Sequence, residues 1–244
     1  MRASQASVVV ERGMQGRGLN GSDMTQDRPV KRNHRIKMVQ TTVQSSAVRV
    51  ASTRLPTTFG VFDMIGFERA NVDREETESA LLLRLGDPTN RPPLLRIHSQ
   101  CLTGEVLGSL RCDCRGQLEV AMSAIADEGS GLVIYEYQEG RGIGLMAKLR
   151  AYALQDKGLD TIEANHALGL DPDYRDFSLA VAILHDIKVD RVRLMSNNPE
   201  KVEALTQGGI EVIKLIPCEA PSNPYALSYL RTKKKKMRHS LTIM

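Results

Sequence analysis

The sequence predicts a mixed α/β fold in which N-terminal antiparallel strands lead into alternating strands and helices. Two observations predict it. Between Ala47 and Leu85 lie three β-rich runs, "AVRVASTRL", "FGVFDMIGF" and "SALLLRL", broken by Pro, Gly and charge and without a helical stretch between them. After Pro93 short apolar runs alternate with amphipathic ones, the rhythm of layered α/β structure. With 244 residues, 41% of them hydrophobic, the chain can bury one good-sized core.

The elements follow in order. "LLRIH" reads as a strand, and "QLEVAMSAIADEG" as an amphipathic helix stopping near Gly129. "GLVIYEY" is a buried strand, "LMAKLRAYALQDKG" a helix with a Gly stop, and "DFSLAVAILHDI" another helix. "RVRLMS" is a strand, "NPEKVEALTQGG" a helix with Asn198 as cap and Pro199 as its first residue, and "IEVIKLI" the last strand. Residues 1–45 are rich in Ser, Gly, Gln, Asn and Arg without periodicity and are expected to be a disordered basic arm, with Met38 an alternative start. The catalytic domain is expected over 46–230, and 231–244, "RTKKKKMRHSLTIM", as a basic tail.

Charge is distributed unevenly. Residues 1–40 carry eight Lys/Arg against three Asp/Glu, and 231–244 carry six Lys/Arg and no acid. Since the whole chain has a net charge of only +4, the body is acidic, which argues against nucleic acid as its partner. The absence of Trp and an aromatic content of 4% argue against a base-stacking surface. No apolar run approaches the ~18–20 residues of a membrane span, and the start lacks a secretory signal. Four cysteines are too few for a disulfide framework, so reduced thiols and a cytoplasmic location are expected.

Three of those cysteines, Cys101, Cys112 and Cys114, sit in "CLTGEVLGSLRCDC" as C-x10-C-x-C. Thiolates suit zinc, which structural sites usually close with four ligands. Either Cys218 is the fourth ligand or water is, and the distance of Cys218 along the chain favours water and a catalytic site. Small buried hydrophobes are the bland alternative, ill matched to the interleaved Arg111, Asp113 and Arg115. "QEGRGIGL" follows a strand and opens a helix, where backbone N–H groups and Arg141 suit an anion, although an ordinary turn reads the same way. It is neither a P-loop nor a dinucleotide fingerprint. In "SNNPEK", Lys201 falls in a first helical turn, as a solvated residue or a phosphate ligand. In "DPDYRDFS", Asp176 can cap a helix, with Asp173 and Arg175 either surface charge or a catalytic pair.

Together "RIHSQCLTGEVLGSLRCDC", "QEGRGIGL", "KLRAYALQDKGLDTIEANHALGL", "DYRDF" and "NNPEKVEAL" resemble the GTP cyclohydrolase II family, over about Leu94 to Arg238. The resemblance implies one zinc per subunit on Cys101, Cys112 and Cys114, magnesium on the substrate phosphates, a homodimer and a monofunctional enzyme. It implies hydrolysis of GTP at C8 by a zinc-bound water, with loss of formate and pyrophosphate, opening riboflavin biosynthesis. GTP would be held by Arg96, Ile97, His98, Ser99, Gln100, Gln117, Glu139, Gly140, Arg141, Thr161, Ser196 and Lys201. Tyr152 would assist the ring chemistry and Asp173 accept a proton. Arg175 would be a nucleophile toward the α-phosphate, or a phosphate clamp, since a guanidinium holds its proton at ordinary pH and attacks poorly. Three positions depart from the family: Gln100 in place of Glu, Arg115 in place of Gly and Ser196 in place of Thr. If the family's acid there recognises the guanine edge, Gln100 offers one acceptor and a mismatched donor, with base selectivity or rate expected to fall. The alternatives to the GTP reading are a relative with altered product or base selectivity and a non-catalytic zinc and nucleotide-binding regulator.

Overall fold

Strand β1 (Val48–Thr57) turns through Thr58 and Phe59 into β2 (Gly60–Asn71), because Gly60 takes φ +126° and Thr57 Oγ1 bonds both the Phe59 N–H (3.1 Å) and the Gly60 carbonyl (2.8 Å). β3 (Glu76–Leu85) then pairs antiparallel with β2. These coordinates are a computed structural model that describes residues 46–71, 76–221, 223–237 and 240–242, so the arm expected over 1–45 lies outside the described residues.

β4 (Leu94–Ser99), β5 (Gly131–Glu136), β6 (Arg191–Met195) and β7 (Glu211–Ile216) complete one seven-stranded sheet of order β1-β2-β3-β5-β4-β6-β7. β3 joins β5 antiparallel, while β5, β4, β6 and β7 run parallel to one another. The expected antiparallel hairpins and α/β layers are thus two halves of the same sheet.

Alternation along the strands sorts two cores. Leu95 and Ile97 of β4 join Leu132 and Ile134 of β5 on one face, under Leu179, Ala180, Ile183 and Leu184 of α5 (Ser178–Asp186) and Leu205 of α6 (Pro199–Gln207). Leu94 and Val133 face the other way, onto Ala121, Met122 and Ile125 of α2 (Cys114–Glu128). Each fully buried Leu, Ile or Phe contributes about 1.5–3 kcal/mol. The α2 helix stops at Gly129, which takes the left-handed φ of 73°. Remaining elements are the single turn α1 (Leu102–Glu105), a 3-10 turn at Glu139–Gly142, α3 (Leu145–Gln155), α4 (Thr161–Ala167) and α7 (Leu227–Lys236).

Part of the lysine run expected as a solvated tail lies on α7, where Lys236 pairs with Asp160. Leu230 packs with Ala226 and Leu241, and the Ser240 N–H donates to the Asn197 carbonyl at 3.1 Å. No helix among the described residues is long and apolar enough to cross a membrane.

β4 and β6 are neighbours whose connections leave in opposite directions, to β5 and to β7. Open α/β sheets bind ligands outside the carboxyl ends of their strands at such a switch point. The segments after β4, β5 and β6 all reach one cleft there.

Candidate active site

Cys101 follows β4, Cys112 lies in the loop after α1, and Cys114 opens α2, so a 14-residue stretch folds back on itself. Their sulfurs all lie within 4.8 Å of one another, with Cys101 and Cys112 at 3.6 Å. Sulfurs of a tetrahedral zinc at Zn–S ≈ 2.3 Å stand about 3.8 Å apart, whereas a disulfide needs about 2.05 Å. The donor set therefore fits a soft metal ion and is not a bridge. Gly104 makes the packing possible, since a Cβ there would stand 2.7 Å from Cys112 Sγ and 3.3 Å from Cys101 Sγ. Cys218 is not in the cluster. It is buried among the α2 core residues, its thiol donating to the Gln117 carbonyl at 3.4 Å, and burial pushes its pKa up.

A charged network supports the thiols. Lys148 donates from Nζ to Cys101 Sγ at 3.1 Å and to Glu139 Oε1 at 2.7 Å, while Glu139 Oε2 accepts from the Leu102 N–H at 2.7 Å. Sulfur contacts from Cys112 and Cys114 push the Cys101 thiol down, and the Cys112 thiol is pushed up in turn by its contact with Cys101. Burial of Lys148 opposes its charge, but Glu139 and Cys101 override it and raise its pKa. Tyr152 lies one helical turn beyond Lys148 on α3, its hydroxyl 3.4 Å from Thr103 Oγ1. Burial raises the Tyr152 pKa, so the phenol holds its proton at neutral pH.

The cleft as a whole is cationic. Arg96, Arg111, Arg141, Lys148, Arg175 and Lys201 line the cleft, with Glu139 the one carboxylate among the described lining residues. Arg96 is held by Gln117 Oε1 (2.7 Å) and the Met195 carbonyl (3.1 Å). Beside it, His98 is sealed at 1% exposure, and burial lowers its pKa to about 4. The neutral ring accepts from Arg96 at Nδ1 (3.4 Å) and donates from Nε2 to Glu105 at 2.8 Å. Lys201, in the first turn of α6, donates to the Ile97 carbonyl at 2.7 Å and lies 5.2 Å from the centre of the Phe177 ring. It is 4% exposed, so it is not the solvated lysine that a first-turn cation usually is.

The "QEGRG" turn and the "DYRD" loop are stitched together. The Tyr174 N–H donates to the Arg141 carbonyl at 2.9 Å, and the Gln138 amide bonds the Asp176 backbone at both N (3.0 Å) and O (2.7 Å). Gly140 and Arg141 both take left-handed φ, 63° and 64°, a conformation that costs a non-glycine residue about 1 kcal/mol or more. Arg175 donates from Nε and from its own backbone N–H to Asp173 Oδ1, at 2.9 and 3.1 Å. Burial pushes the Asp173 carboxyl up, but Arg175 outweighs it and the net shift is downward. Asp173 is therefore ionised at neutral pH.

The family model described as GTP cyclohydrolase II matches residues 48–217, well over half of the chain. The chain belongs to the GTP cyclohydrolase II family. It is 50% identical over 198 residues to the GTP cyclohydrolase-2 of Hahella chejuensis, covering 81% of this chain and 94% of that one. With that of Klebsiella pneumoniae it shares 50% over 194 residues, covering 79% and 95%, and with that of Yersinia pseudotuberculosis 51% over 195, covering 80% and 97%. A two-domain 3,4-dihydroxy-2-butanone 4-phosphate synthase from A. baumannii aligns at TM-score 0.40 and 16% identity over 74% of this chain and 42% of that one, too low to carry weight.

Around this GTP cyclohydrolase II cleft stand Arg96, His98, Ser99, Gln100, Cys101, Cys112, Cys114, Gln117, Glu139, Gly140, Arg141, Tyr152, Thr161, Arg175, Ser196 and Lys201. Two residues expected at the site do not line it. Ile97 alternates onto the opposite face of β4 into the core, leaving only its carbonyl for Lys201, and Asp173 stands behind Arg175. Lys148 and Asn197 also line the cleft; they open the motifs "KLRAYALQDKGLDTIEANHALGL" and "NNPEKVEAL" but were assigned no role there. For Lys148 the i, i+4 spacing to Tyr152 on one helix is the signal that could have found it.

Proposed function

We propose that this chain hydrolyses GTP, opening the guanine imidazole ring at C8 and releasing formate and pyrophosphate. The product is then 2,5-diamino-6-(5-phospho-ribosylamino)pyrimidin-4-one, made at the first step of riboflavin biosynthesis. The observation that carries the reading is one cleft joining a cluster of three thiols to six cations, of which Arg96, Lys148 and Lys201 are buried. The first suits hydrolysis at an electron-poor carbon, the second a triphosphate. Family membership supports the same substrate, and with it magnesium on the phosphates, a homodimer and a cytoplasmic location.

Cys101, Cys112 and Cys114 would hold zinc, which supplies Lewis acidity and activates water near neutral pH. Lys148 offsets the negative charge of the thiolates and holds Glu139 in place. Tyr152, protonated at neutral pH, donates its phenolic proton to the opening ring. Arg141, Arg175 and Lys201 bind the phosphates, and Asp173 keeps Arg175 cationic, which favours a clamp over a nucleophile. Gln100, at the cleft beside Cys101, faces the base edge.

Incubation with GTP, zinc and magnesium, followed by NMR of the product and formate assay, tests the reading. Full deformylation by wild type is expected, and Gln100→Glu should discriminate guanine from other purines more sharply. Zinc-loaded protein that leaves GTP untouched would refute it. A guanylyl-arginine adduct trapped in single turnover would overturn the clamp assignment of Arg175.

A further inference from the structure

Glu136 closes β5 on the face that carries Leu132 and Ile134, and it is 1% exposed. Among the described residues neither of its carboxyl oxygens has a hydrogen-bond partner. In register beside it on β4, the Ser99 hydroxyl is also buried without one. A buried polar group left this way needs a physical reason, because it forfeits hydration without compensation.

Its surroundings supply one. Lys201 from α6 and Arg175 from the loop before α5 both act on the Glu136 charge, and both line the cleft. Each also lies over the Phe177 ring, Arg175 at 5.4 Å and Lys201 at 5.2 Å. Asp176 from the same loop and Glu78 from β3 oppose ionisation, and the residue paired with Glu136 on β3 is the apolar Ala80. The carboxyl is therefore a buried group under the influence of two cations that themselves line the cleft.

We propose that Glu136 is a positioning residue whose proton sets the strength of the phosphate clamp. This rests on the triphosphate reading of the cleft. Neutral, Glu136 draws no charge from Lys201, or from Arg175 beyond what Asp173 already takes. Ionised, it draws on the same two cations and weakens their hold. Burial foremost raises its pKa to about 8, so the neutral form prevails at pH 7 and the charge develops just above. By linkage, bound polyphosphate raises this pKa further, and binding at pH 8 takes up a proton.

The test compares KM for GTP of wild type and Glu136→Gln from pH 6.5 to 9.5. Ionisations of substrate and metal site affect both proteins equally, so the ratio of the two KM values isolates Glu136. The ratio should be near one at pH 7 and rise to about tenfold in favour of the variant above pH 8, with kcat moving in parallel. Ratios flat across the range overturn the proposal. Should the variant not fold, infrared titration of wild type reads the proton directly, and loss of the protonated carboxyl band well below pH 7 overturns it equally. Inorganic tripolyphosphate binding, measured against pH in both proteins, separates the two readings. A Glu136-dependent effect there without GTP turnover sinks the proposed reaction and keeps the clamp. Turnover with pH-parallel binding does the reverse.

Discussion

Replacing Gly104 by Ala adds one methyl group at the floor of the thiol cluster. Its carbon would stand 2.7 Å from Cys112 Sγ, 3.3 Å from Cys101 Sγ and 3.6 Å from Cys114 Cβ. An ordinary carbon–sulfur contact needs about 3.7 Å, so the Cys112 sulfur must retreat by about 1 Å. Metal–ligand distances tolerate only about 0.2 Å. Gly104 has no left-handed φ, so alanine adopts the local backbone without strain and the perturbation is steric alone. Metal-free protein escapes by turning the Cys112 side chain, at a cost on the order of 1 kcal/mol. Metal-loaded protein cannot, because the turned sulfur is no longer a ligand. Zinc affinity, measured by competition with a chromophoric chelator, should fall about 10–100-fold. The melting temperature of the metal-free form should hold within a few degrees, and turnover should fall in proportion to zinc occupancy. Wild-type affinity and stoichiometry in Gly104→Ala would refute the assignment of the three sulfurs as the metal site.

Other outcomes follow from the cationic wall and its supports. Lys201→Met keeps the packing on Phe177 but removes the charge, and should raise KM for GTP about 10–100-fold; an unchanged KM removes Lys201 from the phosphate site. His98 has a folded pKa of about 4, below its ordinary 6.5, so the unfolded chain takes the proton first and stability is lost as pH falls through that window. The loss amounts to ~3 kcal/mol at most, and thermal melts of His98→Gln should show a flatter acid limb. Glu136 acts with the opposite sign: its raised pKa removes stability as pH rises from the ordinary carboxylate range toward about 8, so Glu136→Gln should melt above wild type at pH 8.5.

Strand and helix positions were legible wherever periodicity was strong, as in "GLVIYEY" and "QLEVAMSAIADEG", because local burial alone dictates those patterns. The Asn198 cap with Pro199 behind it stands as the residue types demand. The α4 helix escaped because its composition is polar, yet its capping box of Asp160 and Glu163 was written in the sequence. Joining of both halves into one sheet was not legible, since β3 pairs with β5 across 45 residues of chain through tertiary packing. At the site, residue types pointed to Cys101, Cys112 and Cys114 as one cluster, but only folding could show that Lys201 is buried or that Ile97 turns its side chain away. Glu136 was within reach of the strand alternation, two positions beyond Ile134 on the same face.

All three thiols come from a single stretch between β4 and α2, whereas the clamp cations come from the connections after β5 and β6 and the loop before α5. The two halves of the site therefore differ in how far they depend on the finished fold. A metal ion needs only one local loop to close around it, while the phosphates need distant segments brought to the sheet's edge. Metal capture can thus precede substrate competence as the chain assembles, and damage to the β6–β7 side would take Lys201 from the clamp while leaving the thiols in place.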